Sequence, residues 1–339
     1  MKLRIATRAS LLATTQSEWV ASRLREHEPT LEVELVTIET KGDRETKRPL
    51  AAIGGKGLFV SEVEALVMRG EADVAVHSLK DVPGDVELFE GYALACIPER
   101  EDPSDVLISK EGLTLDELPA GARVGTTSLR REAQLKARRP DLEVRTLRGN
   151  VQTRLRRLDE GDFDAIVLAA AGLKRLGLDA SRALVSLPFD VCLPAVGQGT
   201  LAIECATARP ELAALLAPIE DASARIRMEA ERRLLRDLEG SCRSAIAGHA
   251  TLSGDGQRLL LEGFVGSLDG RRPLRASSEI YLREGAGRVE AAQGLGAEVA
   301  AMLIERGAPA LMREAEADVL RREKSGNGGG QGGDRFKWR

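Results

Sequence analysis

Short apolar runs alternate with amphipathic stretches through the first two thirds of the chain. Leu3–Ala6 and Leu31–Ile38 read as strands, separated by a helical pattern over Ser10–Arg25. Leu58–Arg69 reads as a helix, followed by apolar strands at Ala72–Val76 and Tyr92–Ile97. A second series begins at Asp105–Ser109. It continues with strand Ala122–Thr126, helix Leu129–Arg138, strand Leu142–Thr146, helix Val151–Glu160 and strand Ala165–Leu168. Strands alternating with helices predict βα units and mainly parallel sheets. Two such units joined near residue 100 predict two domains with a cleft between them, and ligands of open α/β sheets bind at the carboxyl ends of strands.

The last third has another rhythm. Asp221–Leu238 reads as one long amphipathic helix rich in Arg and Glu. Three segments then read as strands, His249–Leu252, Arg258–Gly263 and Glu279–Leu282, and Gly287–Glu305 reads as a helix. That order predicts a small α+β domain. Ser325–Gly333 carries 6 Gly in 9 residues and has nothing to bury, so it reads as a disordered tail that includes Phe336 and Trp338 beyond it.

Composition narrows the function classes. The 339 residues carry 49 basic and 53 acidic side chains, a net charge of −4, and only 3% aromatic residues. Base-stacking platforms need rings and duplex binders need a basic balance, so nucleic-acid binding is disfavoured. No apolar run approaches a membrane span; Ala165–Leu173 is the longest useful one. MKLRIATRAS has no apolar segment behind its basic residues, so no secretion signal is read and a cytoplasmic protein with reduced thiols is expected. Cys96, Cys192, Cys205 and Cys242 form no CxxC pair, and His occurs only at positions 27, 77 and 249, so no metal site is expected.

The basic residues are unevenly chosen: 39 of 49 are Arg, and no Lys lies between Lys174 and Lys324. Codon composition explains most of such a skew, so position has to identify the functional ones. Gly121–Glu160 holds eleven basic residues against five acidic ones in a chain that is acidic overall. Arg138, Arg139, Arg156 and Arg157 read as a solvated face. Arg130, Arg131, Arg148 and Arg154 fall at loop–helix junctions, and Arg8 is placed similarly after the first strand.

Two loops have the chemistry of anion sites. Gly54–Phe59 (GGKGLF) opens a helix with Lys56 in it, without Walker A spacing. Gly125–Arg131 (GTTSLRR) sets hydroxyls and free N–H groups at a helix start. Its two arginines oppose the helix macrodipole, which predicts an anion nearby. Val74–Pro83 is a buried-looking strand running into polar residues. Asp81 stands just past its end with Lys80 beside it; an ordinary turn-forming Asp is the competing reading. Cys242 lies in a loop of small residues with Arg243 adjacent, which favours a reactive thiol, whereas the other cysteines sit in apolar stretches and read as core.

Nine blocks, in order and at matching spacing over roughly residues 1–310, give a close resemblance to the porphobilinogen deaminase (hydroxymethylbilane synthase) family. They are RIATRAS (4–10), GGKGLF (54–59), ADVAVHSLKDVP (72–83), ERED (99–102), GTTSLRR (125–131), TLRGNVQT (146–153), DAIVLAAAGLKRLG (164–177), LPAVGQG (193–199) and LEGSC (238–242). The resemblance implies two α/β lobes of the type II periplasmic-binding-protein kind plus a small α+β C-terminal domain. The boundaries it implies are 1–98 with 196–216 for the first lobe, 99–195 for the second and 217–312 for the third domain, with the tail over 323–339.

It further implies a transferase that joins four porphobilinogens head to tail with loss of ammonia and releases hydroxymethylbilane by hydrolysis. The implied cofactor is dipyrromethane, attached through Cys242. Asp81 matches the catalytic aspartate. Lys80, Ser78, Thr126, Thr127, Ser128, Arg130, Arg131 and Gly172 match cofactor-binding positions. Arg8, Ser10, Lys56, Arg148, Arg154, Arg175 and Gln198 match substrate-binding positions, where planar cations suit a polycarboxylate. A monomer without nucleic-acid or membrane partners is implied. Ser241 and Arg243 depart from the Gly and Gln common in the family, and Ala52 from a common Lys. The rival readings are a non-catalytic anion-binding protein of the same two-lobe form, which leaves Cys242 and Asp81 unexplained, and a nucleic-acid-binding regulator using Leu129–Arg157.

Overall fold

The computed structural model describes residues 2–40, 60–84, 88–239 and 244–326. Lys56 with its loop, Ser241, Cys242, Arg243 and everything beyond 326 lie outside the described residues.

In the first lobe β1 (Lys2–Arg8), β2 (Glu32–Ile38), β3 (Val74–Ser78) and β4 (Tyr92–Cys96) share a sheet with β10 (Leu201–Ala206), in the order β2-β1-β3-β10-β4. Helices α1 (Leu11–His27) and α2 (Ser61–Met68) cover it. In the second lobe β5 (Asp105–Ser109), β6 (Arg123–Gly125), β7 (Glu143–Arg145), β8 (Ala165–Ala169) and β9 (Leu184–Leu187) take the order β7-β6-β8-β5-β9. Its helices are α3 (Leu129–Arg138), α4 (Val151–Asp159) and α5 (Ala170–Arg175). The two α/β lobes expected from the alternation are therefore present, but the sheets are mixed rather than mainly parallel. β1 pairs parallel with β2 and β3, while β10 runs antiparallel to β3 and β4. The second sheet repeats this, with β5 antiparallel to β8 and β9. Each antiparallel central strand arrives from the other lobe. Hydropathy cannot show that, because a strand buried on both faces reads as one apolar run in either direction.

Two segments thus cross between the lobes, one from β4 to β5 and one from β9 to β10. They touch at Gly199, whose φ is +86°, and a Cβ there would lie 2.2 Å from the Glu101 carbonyl oxygen. Only Gly permits that approach.

Helix α6 (Pro210–Leu216) leads to the third domain. There α7 (Ala222–Asp237) and α8 (Arg288–Glu305) pack on an antiparallel sheet β11 (Ile246–Leu252), β12 (Arg258–Gly266) and β13 (Pro273–Tyr281). Its core joins Ala230, Leu234, Leu259, Leu261, Val299 and Leu303. A final helix α9 (Ala308–Gly326) was not expected from the pattern, and it carries the chain past residue 323, where the disordered tail was expected to start. Its Ala315 and Val319 pack with Ala133 of α3 and Phe264 of β12, and Arg322 pairs with Glu132 at 3.0 Å. One face of α9 therefore docks the third domain against the second lobe.

Candidate active site

Asp81 follows β3, in a single 3-10 turn over Leu79–Asp81 that ends the strand in the first lobe. The side chain is exposed and lines a cavity with Arg8, Gln16, His77 and Ser78. Ser78 and Gln16 bond to each other, Gln16 Nε2 lying 3.1 Å from Ser78 Oγ. The turn is fastened from the third domain: Arg232 of α7 donates to the carbonyls of Val82 and Pro83, at 3.3 and 3.1 Å.

Lys80 lies in the same turn and faces the other lobe. Its Nζ is 3.5 Å from Gln198 Oε1. The residue keeps part of its surface exposed, but protein atoms crowd the ammonium, and that desolvation pushes its pKa down to about 8. Asp81 and Asp105 pull it upward, and Arg131 and Arg130 push it further down. Arg154, at the start of α4, is driven to about 10 by burial and then by Arg131 and Arg148, with Asp81 opposing. Asp81 and Lys80 from one lobe and Arg131, Arg148 and Arg154 from the other therefore share one electrostatic field. Arg131 and Arg130 lower the proton affinity of Lys80, and Arg131 and Arg148 lower that of Arg154, as neighbouring cations do.

The GTTSLRR loop is ordered as its residue types require. Ser128 caps α3 by accepting the Arg131 N–H at 3.4 Å, and Thr126 Oγ1 accepts the Ser128 N–H at 3.1 Å. Ser10 caps α1 in the same way through Ala13, at 3.4 Å. The arginine pair differs from expectation. The anion demanded by two arginines at a helix start is the protein's own Asp105, fully buried on β5. Its Oδ2 is 2.7 Å from Arg130 Nη1, and its Oδ1 is 2.7 Å from Arg131 Nη2. Burial alone would raise the Asp105 carboxyl; the two guanidiniums override it and hold it far below the usual carboxylate range. Arg130 also donates to the Leu193 carbonyl at 2.6 Å and Arg131 to that of Val167 at 2.9 Å. Two guanidiniums against one carboxylate leave this trio one positive charge.

Gln198 is likewise committed within the protein. It is buried, with Nε2 2.7 Å from the Pro103 carbonyl and 2.9 Å from Asp105 Oδ1, so it ties one crossing segment to the other. Arg175 donates to the Gly199 carbonyl at 2.8 Å; burial lowers it to about 10 while Glu101 opposes. Gly172 lies where the lobes meet, a Cβ there falling 3.6 Å from Leu12. Thr127 precedes the α3 cap, and Arg8 ends β1 on the cavity wall. Cys96, Cys192 and Cys205 are buried core thiols, and burial pushes Cys192 up to about 12. The described residues hold no group suited to a metal ion and no helix long and apolar enough to cross a membrane.

Several structural partners had not been singled out from sequence. Asp105 was legible only as an acid opening an apolar strand. Glu231 of α7, fully buried, pairs with Arg100 of the first crossing segment at 2.6 Å and accepts the Gly197 N–H of the second at 2.7 Å. It also accepts the Ala250 N–H at 2.8 Å. After burial, which opposes, Arg100 is the main influence that takes its carboxyl to about 2. One carboxylate thus joins both crossings to the third domain.

Two family models match the chain. "Porphobilinogen deaminase, dipyromethane cofactor binding domain" covers residues 3–214, and "Porphobilinogen deaminase, C-terminal domain" covers 225–305. The Porphobilinogen deaminase of Shouchella clausii (strain KSM-K16) is 49% identical over 319 residues, 94% of this chain and 98% of that protein. That of Stenotrophomonas maltophilia (strain K279a) is 51% identical over 310 residues, 91% of this chain and 98% of that protein. Among solved structures, the Methionine Binding Protein MetQ superposes with a TM-score of 0.40 at 14% identity, over 64% of this chain and 88% of that one.

Proposed function

The chain belongs to the porphobilinogen deaminase family, and from that premise we propose how its residues divide the work. The protein is a tetrapyrrole-synthesis transferase that condenses porphobilinogen head to tail, with loss of ammonia, and releases hydroxymethylbilane. Its cofactor is dipyrromethane. In this reading Cys242 is the attachment thiol.

The site described above suits that group: a dipyrromethane and the pyrroles joined to it carry carboxylates, and Lys80 from one lobe with Arg131, Arg148 and Arg154 from the other bring cations to one field around Asp81. When bound, the cofactor supplies a nucleophilic pyrrole carbon and a covalent anchor. Ser78, Lys80, Thr126, Thr127 and Ser128 donate to it, with Gly172 leaving room between the lobes. Arg130 and Arg131 act as one fixed positive charge held by Asp105. Arg8, Ser10, Lys56, Arg148, Arg154 and Arg175 bind substrate carboxylates, and Gln198 aligns Lys80 with the second lobe. Asp81 hydrogen-bonds the pyrrole N–H of incoming porphobilinogen, stabilises the cation left as ammonia departs, and takes the ring proton once the carbon–carbon bond has formed.

The observation carrying this division is that Asp81 sits at a strand end of one lobe within the field of Arg154 from the other. Intact-mass and turnover measurements on two variants test it. The parent and Asp81→Asn should both be heavier than their sequences by two deaminated porphobilinogen units, and Cys242→Ser should lack the addition. Asp81→Asn should lose turnover by a factor on the order of a hundred or more. An unmodified mass in active parent protein, or near-normal product formation by Asp81→Asn, overturns the assignment concerned.

A further inference from the structure

The first lobe holds a cluster of titratable side chains that neither anchorage nor carboxylate recognition uses. His77 on β3 and Glu204 on β10 lie on adjacent antiparallel strands, with His77 Nε2 3.0 Å from Glu204 Oε2. Both are buried, at 5% and 1% exposure. Helix α2 packs on both strands, and its Glu64 is buried too. Burial first, and then the Glu204 carboxylate, push the Glu64 carboxyl up to about 7, while His77 draws it down.

The other charged groups on elements packed against α2 are placed differently. On β1, Arg8 stands on the cavity wall and Arg4 pairs with Asp73, 3.1 Å away. On α2 itself Glu62 lies in the first turn. Glu64, Glu204 and His77 therefore form a carboxyl–carboxylate–imidazole set away from bulk water. His77 lines the same cavity as Asp81. A purely structural ion pair has no need of a second buried carboxyl beside it, because two adjacent acids disfavour ionising together.

We propose that His77, backed by Glu204 and Glu64, is the proton-exchange partner of Asp81. The proposal rests on the reading of Asp81 as the group that takes the ring proton. In each condensation the C–N bond of the aminomethyl group breaks, and its electron pair leaves on ammonia. A C–C bond forms, and the acceptor ring carbon then loses its C–H proton to the Asp81 carboxylate. The aminomethyl group enters as its ammonium and so leaves as neutral ammonia; His77 takes the ring proton from Asp81 and passes it to that ammonia while it is still in the cleft, so that ammonium is released. Asp81 is thereby returned to its anionic form for the next porphobilinogen. The proton and electron count closes with no other reactant. His77 acts through Asp81 and is a positioning and relay residue.

The test uses holoenzyme and two readouts. The first is the pH profile of kcat with KM measured beside it. Glu204→Gln should lower kcat about tenfold with KM within about twofold, and both it and Glu64→Gln should move the pH of half-maximal kcat by about one unit. The second readout holds even if a variant folds poorly: carboxyl NMR of parent holoenzyme labelled with 13C-Glu. One Glu should titrate between about pH 6 and 8, and Glu64→Gln should remove it. A parent in which every Glu is ionised below about pH 5.5, or variants whose profiles superimpose on the parent's, overturn the relay. Neither result touches the Asp81 assignment, which falls on the turnover of Asp81→Asn.

Discussion

β1, β2 and β3 of the first lobe have counterparts in β6, β7 and β8 of the second, and the antiparallel strands β10 and β4 correspond to β5 and β9. The equivalence extends to helix starts, where Ser10 and Ser128 cap the helices after β1 and β6 with the same bond length. It extends also to a buried carboxylate on each central antiparallel strand, Glu204 on β10 and Asp105 on β5. What those carboxylates meet is different. Asp105 faces two guanidiniums, which never lose their charge near neutral pH. Glu204 faces an imidazole and lies next to a second carboxyl. One architecture has therefore placed permanent cations around the buried carboxylate of the second lobe and an imidazole and a second carboxyl around that of the first.

Removing the two carboxylates tests that contrast most severely. Asp105→Asn keeps the volume but leaves two buried guanidiniums without their anion, which should cost about 3–5 kcal/mol in urea denaturation. Glu204→Gln should cost on the order of 1 kcal/mol, because the amide can keep a hydrogen bond to the His77 ring nitrogen. Equal costs would break the comparison.

Acid–base dependence of stability should separate the lobes next, with opposite signs. The folded value of Glu64, about 7, lies above its ordinary 4.5. Its contribution is fully present below that ordinary value and is lost as pH rises through about 7. Glu64→Gln should thus match the parent near about pH 4 and exceed it by on the order of 2 kcal/mol near about pH 8. The Asp105 carboxyl is held below its ordinary value of 3.8, so its contribution is present above that pH and is lost as acid is added. Denaturation midpoints of the two variants across this range check both slopes. A Glu64→Gln advantage independent of pH would remove the titrating carboxyl from the first lobe.

The features legible from sequence were those with local causes. Strand Asp105–Ser109 and helix Leu129–Arg138 were read to the residue because period and capping are written in adjacent positions. Asp81 was found because it follows an apolar strand. The need for an anion beside Arg130 and Arg131 was also legible, from their conflict with the helix dipole, but its identity was not. Asp105 is 26 positions away from Arg131, and His77 is 127 from Glu204. Pairings of that range depend on which strand inserts where, and β10 in particular enters the first sheet from beyond the second lobe. β13 was anticipated only at its end, since Pro273–Ser278 is too polar to announce a strand and is held by its pairing with β12. Helix α9 is polar along most of its length and is recognisable only by the apolar face it docks.

The smallest expected effect concerns the arginines that make the second lobe look most basic. Arg138 reaches Asp116 at 2.7 Å and Arg156 reaches Glu160 at 2.7 Å, and all four side chains stand in solvent. Such pairs exchange one set of hydrated charges for another, and salt screens what is gained. Arg138→Ala and Arg156→Ala should leave both the urea midpoint and kcat within error of the parent. Arg154→Ala, one turn from Arg157 but inside the cation field, should raise KM for porphobilinogen or impair cofactor assembly while the fold persists. If the exposed pair of substitutions altered KM as much as Arg154→Ala did, substrate recognition would belong to the net charge of residues 121–160 rather than to the few arginines at strand–helix junctions. The division between the lobes would then be one of general potential instead of placed groups.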